Sequence, residues 1–378
     1  MFEINYKKIS ELSELIKNIN FQLNMLPGIE KAIDISDAKN KLTLYFYVDA
    51  ICHQTQNFSG EIDGIYYRGW DYLLNSFIKE YKKDNDFISA DKMKKIRGED
   101  LKRILNGSGD RYYERARLLR NCAYILKRDF NSDIFEINRI SEGYIKRENG
   151  LDMLKLFHKF KAYSDPLNKK TYLFLNIAKK VGFWKINDPE NLWTPVDYHL
   201  ERVTLRMGLV NLDDKTMTKL IKNKSIPQTL DLKIREVVGD AVKKLSIDSK
   251  VEVEKIDQIF WSLGRSICFK DFPFCDGVNS ENTTFQNITG INLKNGCPFR
   301  KICEAYKNIE LRQIKESNVN TIYYWIFVFY GISFLIILTI ISLGSGSFPS
   351  GVNPSTGTIT KIVSPRLGTT IFEYSHSE

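Results

Sequence analysis

From Ser317 to Thr360 the chain carries no charged side chain. Within that stretch, Thr321 to Leu343 reads TIYYWIFVFYGISFLIILTIISL. A helix of this length spans roughly 30–35 Å, enough to cross a bilayer core. Tyr323, Tyr324 and Trp325 cluster at one end, where interfacial aromatics sit, and the run has no polar stripe of the kind a core helix carries. Arg312 and Lys315 lie just before it, so the positive-inside rule puts the large N-terminal part in the cytoplasm. The expectation is therefore a cytoplasmic domain over 1–316, one C-terminal transmembrane helix over 321–343 with the membrane as a partner, and a short polar tail over 344–378.

Charge sharpens the division. The net charge is +9, and the charges after Glu316 (Lys361, Arg366, Glu373, Glu378) sum to zero, so the positive excess lies in 1–316. A basic globular part fits a polyanionic partner: nucleic acid, a nucleotide or an anionic lipid surface. Apolar residues at 43% and charged residues at 27% exclude a disordered or collagen-like chain. Six cysteines in 378 residues exclude a disulfide-stapled secreted domain, and MFEINYKKIS shows no signal peptide, so a reducing compartment is expected.

Residues 1–316 read as helices. KKISELSELIKNI, RYYERARLLRNCAYILKRDF, LDMLKLFHKFKAYS and VEKIDQIFWSLGRSIC all space their apolar residues by three and four. KLTLYFYVDAICHQT would permit a strand, but a sheet needs partners and none is evident. The fold class expected is all-α.

Cys268, Cys275, Cys297 and Cys303 fall within 36 residues, spaced C-x6-C-x21-C-x5-C. Four thiolates suit a cubane iron–sulfur cluster or a structural zinc. Zinc ribbons favour two C-x2-C knuckles, which are absent; the wide loops suit a larger metal–sulfur core. A helix followed by four cysteines ending in CPFRKIC resembles the iron–sulfur loop of helix-hairpin-helix DNA glycosylases of the endonuclease III type. Their usual spacing is C-x6-C-x2-C-x5-C, so the middle gap departs; a surface insertion between ligands costs little loop entropy. The resemblance implies a [4Fe–4S] cofactor on these four cysteines, in a loop over 264–307.

A second segment, PVDYHLERVTLRMGL at 195–209, is similar to the VDTHxxRVxxRLG segment of the same superfamily. The resemblance implies that Asp197 is the catalytic carboxylate at the start of a helix, with His199 and Arg202 matching and Tyr198 replacing a threonine. Cleaving an N-glycosidic bond builds positive charge on the sugar, which a fixed anion stabilises and beside which it can orient a nucleophile. An N-cap role for Asp197 accounts for the same residue on local grounds. Upstream, KKT in SDPLNKKTYLFLNIA aligns with the RKT that closes the family's hairpin, which implies Lys170 as the lysine nucleophile of lyase-active members. DPLN stands where the family has its two hairpin glycines.

The chain is also similar to the queuosine salvage family, through YVDAICHQTQNFSGEIDGIYYRGWDYL, RYYERARLLRNCAYIL, KKTYLFLNIA, VDYHLERV and EKIDQIFWSLG in order. That resemblance implies hydrolysis of queuosine 5′-phosphate to free queuine, with Asp197 and Tyr198 as the aspartate–tyrosine pair and Lys169 or Lys170 as the basic residue. Tyr67 and Trp70 are candidates for stacking a base.

The expectation is thus a monomeric helix-hairpin-helix-type glycosylase that excises a damaged or modified base from DNA. A queuosine-nucleotide glycosylase is the alternative. A non-catalytic, membrane-tethered nucleic-acid-binding iron–sulfur module is the third reading.

Overall fold

The computed structural model describes residues 2–22, 38–180, 182, 184–278, 283–319, 358–363 and 370–375. The chain divides into two units, Met1–Trp325 and Ile326–Glu378.

Eight helices of ten residues or more carry the described part of the first unit: α1 (Tyr6–Asn18), α2 (Ala38–Ala50), α3 (Trp70–Lys83), α4 (Tyr112–Asp129), α5 (Lys169–Lys180), α6 (Tyr198–Met207), α7 (Gln228–Ser249) and α8 (Val253–Ser266). Local chemistry sets their ends. Asn5 caps α1 by accepting from the Lys8 N–H at 3.1 Å. Gly208 closes α6 at φ 78°, where a Cβ would be strained.

Two apolar cores result. The first gathers α2, α3, α4 and α5 around Phe46, Phe157 and Phe174. α2 is buried continuously from Leu42 to Ala50, which makes it the central helix of this half. The second core gathers α1, α6, α7 and α8 around Leu200, Ile234 and Phe260. Trp193 packs against both cores. Gly239 permits this, since a Cβ there would lie 2.1 Å from the Trp193 ring.

Two corrections to the expected fold class follow. The all-α assignment misses a β-hairpin, Ser59–Ile62 against Ile65–Arg68. Its turn is Asp63-Gly64, both at positive φ, the dipeptide that two-residue hairpin turns favour. The transmembrane helix is also not supported. Among the described residues no helix is long and apolar enough to cross a membrane, and 321–343 lies outside them. The fold is therefore mostly helical, with short strand pairs and without a membrane-spanning element among the described residues. In the second unit, Thr358–Val363 pairs antiparallel with Thr370–Ser375, in the stretch expected as a tail.

Candidate functional site

Asp197 is the N-cap of α6, its Oδ1 accepting from the Leu200 N–H at 2.8 Å. The loop before it is held from behind. Arg235 of α7 donates to the Val196 carbonyl at 3.2 Å and to Asp165 Oδ2 at 3.2 Å. Asp165 belongs to the turn that precedes α5, so one buried guanidinium ties the starts of α5 and α6 together.

That turn is self-satisfied. Asp165 accepts from the Leu167 N–H at 3.2 Å and the Lys169 N–H at 3.0 Å. A buried aspartate of the chain itself thus occupies two of the turn's amides.

Lys169 and Lys170 diverge at once, because successive helical residues point about 100° apart. Lys170 is fully buried and donates to the Ala50 carbonyl. Burial first, and then the cations Lys169 and Arg115, bring its ammonium down to about 7. Lys169 is half-buried, and its charge acts on Asp49, Asp197 and Asp257. The lysine beside the candidate catalytic carboxylate is therefore Lys169, whereas Lys170 lies against α2 in the first core.

The two further acids were not read from the sequence. Asp257 of α8 is half-buried and accepts from Thr194 Oγ1 at 3.1 Å. Burial, followed by repulsion from Asp197, pushes its carboxyl up to about 8, against the pull of Thr194 and Lys169. Asp49 of α2 is fully buried and accepts from Trp70 Nε1 at 3.2 Å, while its Oδ2 has no hydrogen-bond partner. Burial raises its carboxyl to about 7, opposed by Trp70, Lys169 and Lys170. Asp197 is raised by burial too, but Lys169, the helix amides and Arg202 all favour its anion.

Aromatic and basic side chains from α6 and α8 flank these acids. Tyr198 is 38% exposed and lies 4.1 Å from the His199 ring, centroid to centroid. Arg265 covers the Trp261 ring at 4.7 Å and reaches Asp71 of α3 at 3.2 Å. Burial and the neighbouring Arg202 and Arg265 hold His199 well below the usual imidazole range, so its ring is neutral. Gly264 lets α8 approach α6 here, since a Cβ would sit 2.9 Å from His199 Cβ. Trp70 stacks on Tyr45 and so belongs to the Asp49 side of the site. Tyr67 sits on the hairpin opposite Gly60 and packs against the first core.

The four cysteines come together. Cys268, Cys275, Cys297 and Cys303 line one cavity of about 20 Å³, together with apolar side chains including Val203, Leu263 and Ile267. The 21-residue gap between Cys275 and Cys297 is closed at its base by the Cys297 N–H donating to the Cys275 carbonyl at 2.9 Å. Two buried arginines of α6 grip the loop. Arg202 donates to the Cys268 carbonyl at 3.0 Å and to His199 Nδ1 at 3.0 Å. Arg206 donates to the carbonyls of Phe269, Lys270 and Ile314, and lies 3.4 Å from Cys268 Sγ. Burial raises the thiols of Cys275, Cys297 and Cys303, and the other cysteines raise them further, which marks their proximity. As they stand, the side chains do not enclose a point in ligating geometry: among the described residues no group of three or more His, Cys, Asp or Glu does. Four soft donors around one apolar-walled cavity, with an arginine on one sulfur, nonetheless fit the donor set and setting of a metal–sulfur cluster.

Neither the scan of protein-family models nor the comparison with curated proteins gives a match for this chain, so its function is argued from the site itself.

Proposed function

We propose that the protein hydrolyses the N-glycosidic bond of a nucleotide bearing a modified or damaged base. The observation that carries this reading is Asp197 at the α6 N-terminus, its carboxylate favoured by the charge of Lys169. Cleavage needs an anion where the sugar becomes cationic and a route for a proton to the departing base. Asp197 supplies the anion, and Lys169 helps keep it ionised. Tyr198 and Trp261 offer faces for the base.

Two substrate sizes remain in contention, each with one observation. A free modified nucleotide, such as queuosine 5′-phosphate, is favoured because Asp165 already takes the turn amides that would anchor a DNA phosphate. Base excision from DNA is favoured by the exposed Lys294 and Lys301 on the cysteine loop. The occupied turn bears on the site itself, so the nucleotide is the better-supported substrate.

The same proposal assigns a [4Fe–4S] cluster to Cys268, Cys275, Cys297 and Cys303. When bound it would cross-link the loop, and its role here is structural: Arg202 and Arg206 connect that loop to the helix presenting Asp197. The test is release of free base by the full-length protein from nucleotide and DNA substrates, with Asp197→Asn as the inactive control.

A further inference from the structure

His199 and Arg202 lie one turn apart on α6 and meet at 3.0 Å, Nδ1 to Nη2. A guanidinium has N–H donors and no acceptor, so Nδ1 is the accepting, unprotonated nitrogen of the ring. The neutral imidazole then carries its hydrogen on Nε2. Arg202 is not free to turn away. Its Nη1 pairs with Glu316 at 2.5 Å, its Nε donates to the Cys268 carbonyl at 3.0 Å, and Nη2 also reaches the Gly264 carbonyl at 3.1 Å. Arg202 and Glu316 are both buried. The ring itself is held against Gly264, tilted on Tyr198 at 4.1 Å and edge-on to Trp261 at 6.5 Å between centroids. No described residue bonds Nε2, and His199 is half-buried rather than sealed in the core. One N–H of fixed direction is thus presented beside the exposed Tyr198, two residues from Asp197.

We propose that His199 is a specificity-determining residue whose Nε2–H donates to a carbonyl on the base, with Arg202 and Glu316 as the positioning residues that fix its tautomer. The inference deepens the N-glycosidase reading above and rests on it. A phosphate is the poorer partner for this nitrogen. Histidine holds an anion best as imidazolium, and here Arg202 occupies the lone pair that the second proton would need. An uncharged donor suits an uncharged acceptor, and the Tyr198 face beside it is where that reading places the base. A base that turned an N–H toward this point would set two donors against each other, so the fixed tautomer also rejects. His199 transfers no proton; it selects and orients the base, while Asp197 stabilises the sugar.

The experiment has two arms, both on the full-length protein. The first reads the tautomer. Wild type labelled with ¹⁵N-histidine is compared at neutral pH with His199→Phe, which assigns His199 among the 4 histidines. Long-range ¹⁵N–¹H correlation should show Nε2 protonated and Nδ1 bare. An Nδ1–H tautomer or an imidazolium overturns the proposal whatever the activity. The second arm is kcat/KM for base release from queuosine 5′-phosphate and from its analogue with the base carbonyl replaced by hydrogen. Wild type should favour the carbonyl substrate, and His199→Phe should lose at least about tenfold of that preference, the scale of one hydrogen bond. Comparing the two proteins removes the carbonyl's own effect on the leaving group. His199→Gln, whose amide can bring an N–H to the place of Nε2, should restore most of the preference. Thermal melts confirm that both variants are folded. His199→Phe that keeps the full preference overturns the proposal and leaves the N-glycosidase reading intact. Wild-type protein that releases no base from any substrate overturns both.

Discussion

Arg206 lies 3.4 Å from the sulfur of Cys268, through Nη1, while the same side chain donates to the carbonyls of the next two residues. Arg206 is on α6, nine residues after its cap at Asp197, so the cysteine loop and the candidate catalytic carboxylate are mounted on one helix. Arg202, one turn earlier, makes the second connection and touches His199 as well. Damage to the loop is therefore expected to reach the site through α6.

Replacing Arg206 by Met should be strongly destabilising. The side chain is fully buried, and its loss leaves three carbonyls without their donor. Each unsatisfied buried group costs about 1–3 kcal/mol, so a loss of roughly 3–5 kcal/mol is expected. A denaturant titration measures it. A change below roughly 1 kcal/mol would mean the loop does not depend on this clamp.

Anaerobically purified protein should be brown and contain iron and acid-labile sulfide in equal amounts. Cys297→Ser should lose most of the iron and lower the melting temperature, since cluster binding and folding are coupled. Chelation of the wild type should do the same. Colourless protein carrying stoichiometric zinc would refute the cluster.

The adjacent lysines should separate cleanly. Lys169→Met should reduce base release by at least about 10²-fold, because it removes the cation acting on Asp197. Lys170→Met should leave release within about threefold, since Lys170 points into the first core toward Ala50. Borohydride trapping of an imine on Lys170 during turnover would contradict this division.

Asp257→Asn should stabilise the fold in a pH-dependent way. The folded carboxyl titrates near about 8, above its unfolded value of 3.8. Between those limits the native state binds more protons than the unfolded state, so the Asp257 contribution to stability falls as pH rises. Asn cannot ionise. Its advantage should be small near pH 4 and grow toward pH 8, reaching on the order of 2 kcal/mol given the half-open site. Chemical denaturation of both proteins across that range is the check. An advantage that shrinks with rising pH would show that Asp257 is not held neutral.

Much of this site could be read in the sequence, for identifiable reasons. Asp197 stands before a regular apolar spacing, where an N-cap belongs, and the structure gives it that hydrogen bond. The cysteine spacing brought out four residues that do line one cavity. Lys169 could not be separated from Lys170 because α5 begins at Lys169, and a one-residue difference in alignment rotates the choice by about 100°. Asp257 was hidden in VEKIDQIF, where a polar position on an amphipathic helix reads as solvent-facing. Only the tertiary packing brings it to Thr194, three residues before Asp197. Asp49 was masked in a similar way, since α2 is buried on every side and its one acid has no periodic signature. The Asp63-Gly64 hairpin has a legible turn dipeptide that the sequence reading did not use, whereas the one run that permitted a strand, KLTLYFYVDAICHQT, supplies much of helix α2.

The most direct test of the central claim is base release by the full-length protein, wild type beside Asp197→Asn, from queuosine 5′-phosphate and from duplexes carrying damaged bases. The account predicts free base from the nucleotide, reduced by at least about 10³-fold in the variant, the scale of losing a principal electrostatic stabiliser. Release confined to DNA would move the substrate assignment while keeping the chemistry. Equal release by the two proteins, or none from either substrate, would contradict the claim that Asp197 is the centre of an N-glycosidic bond hydrolase.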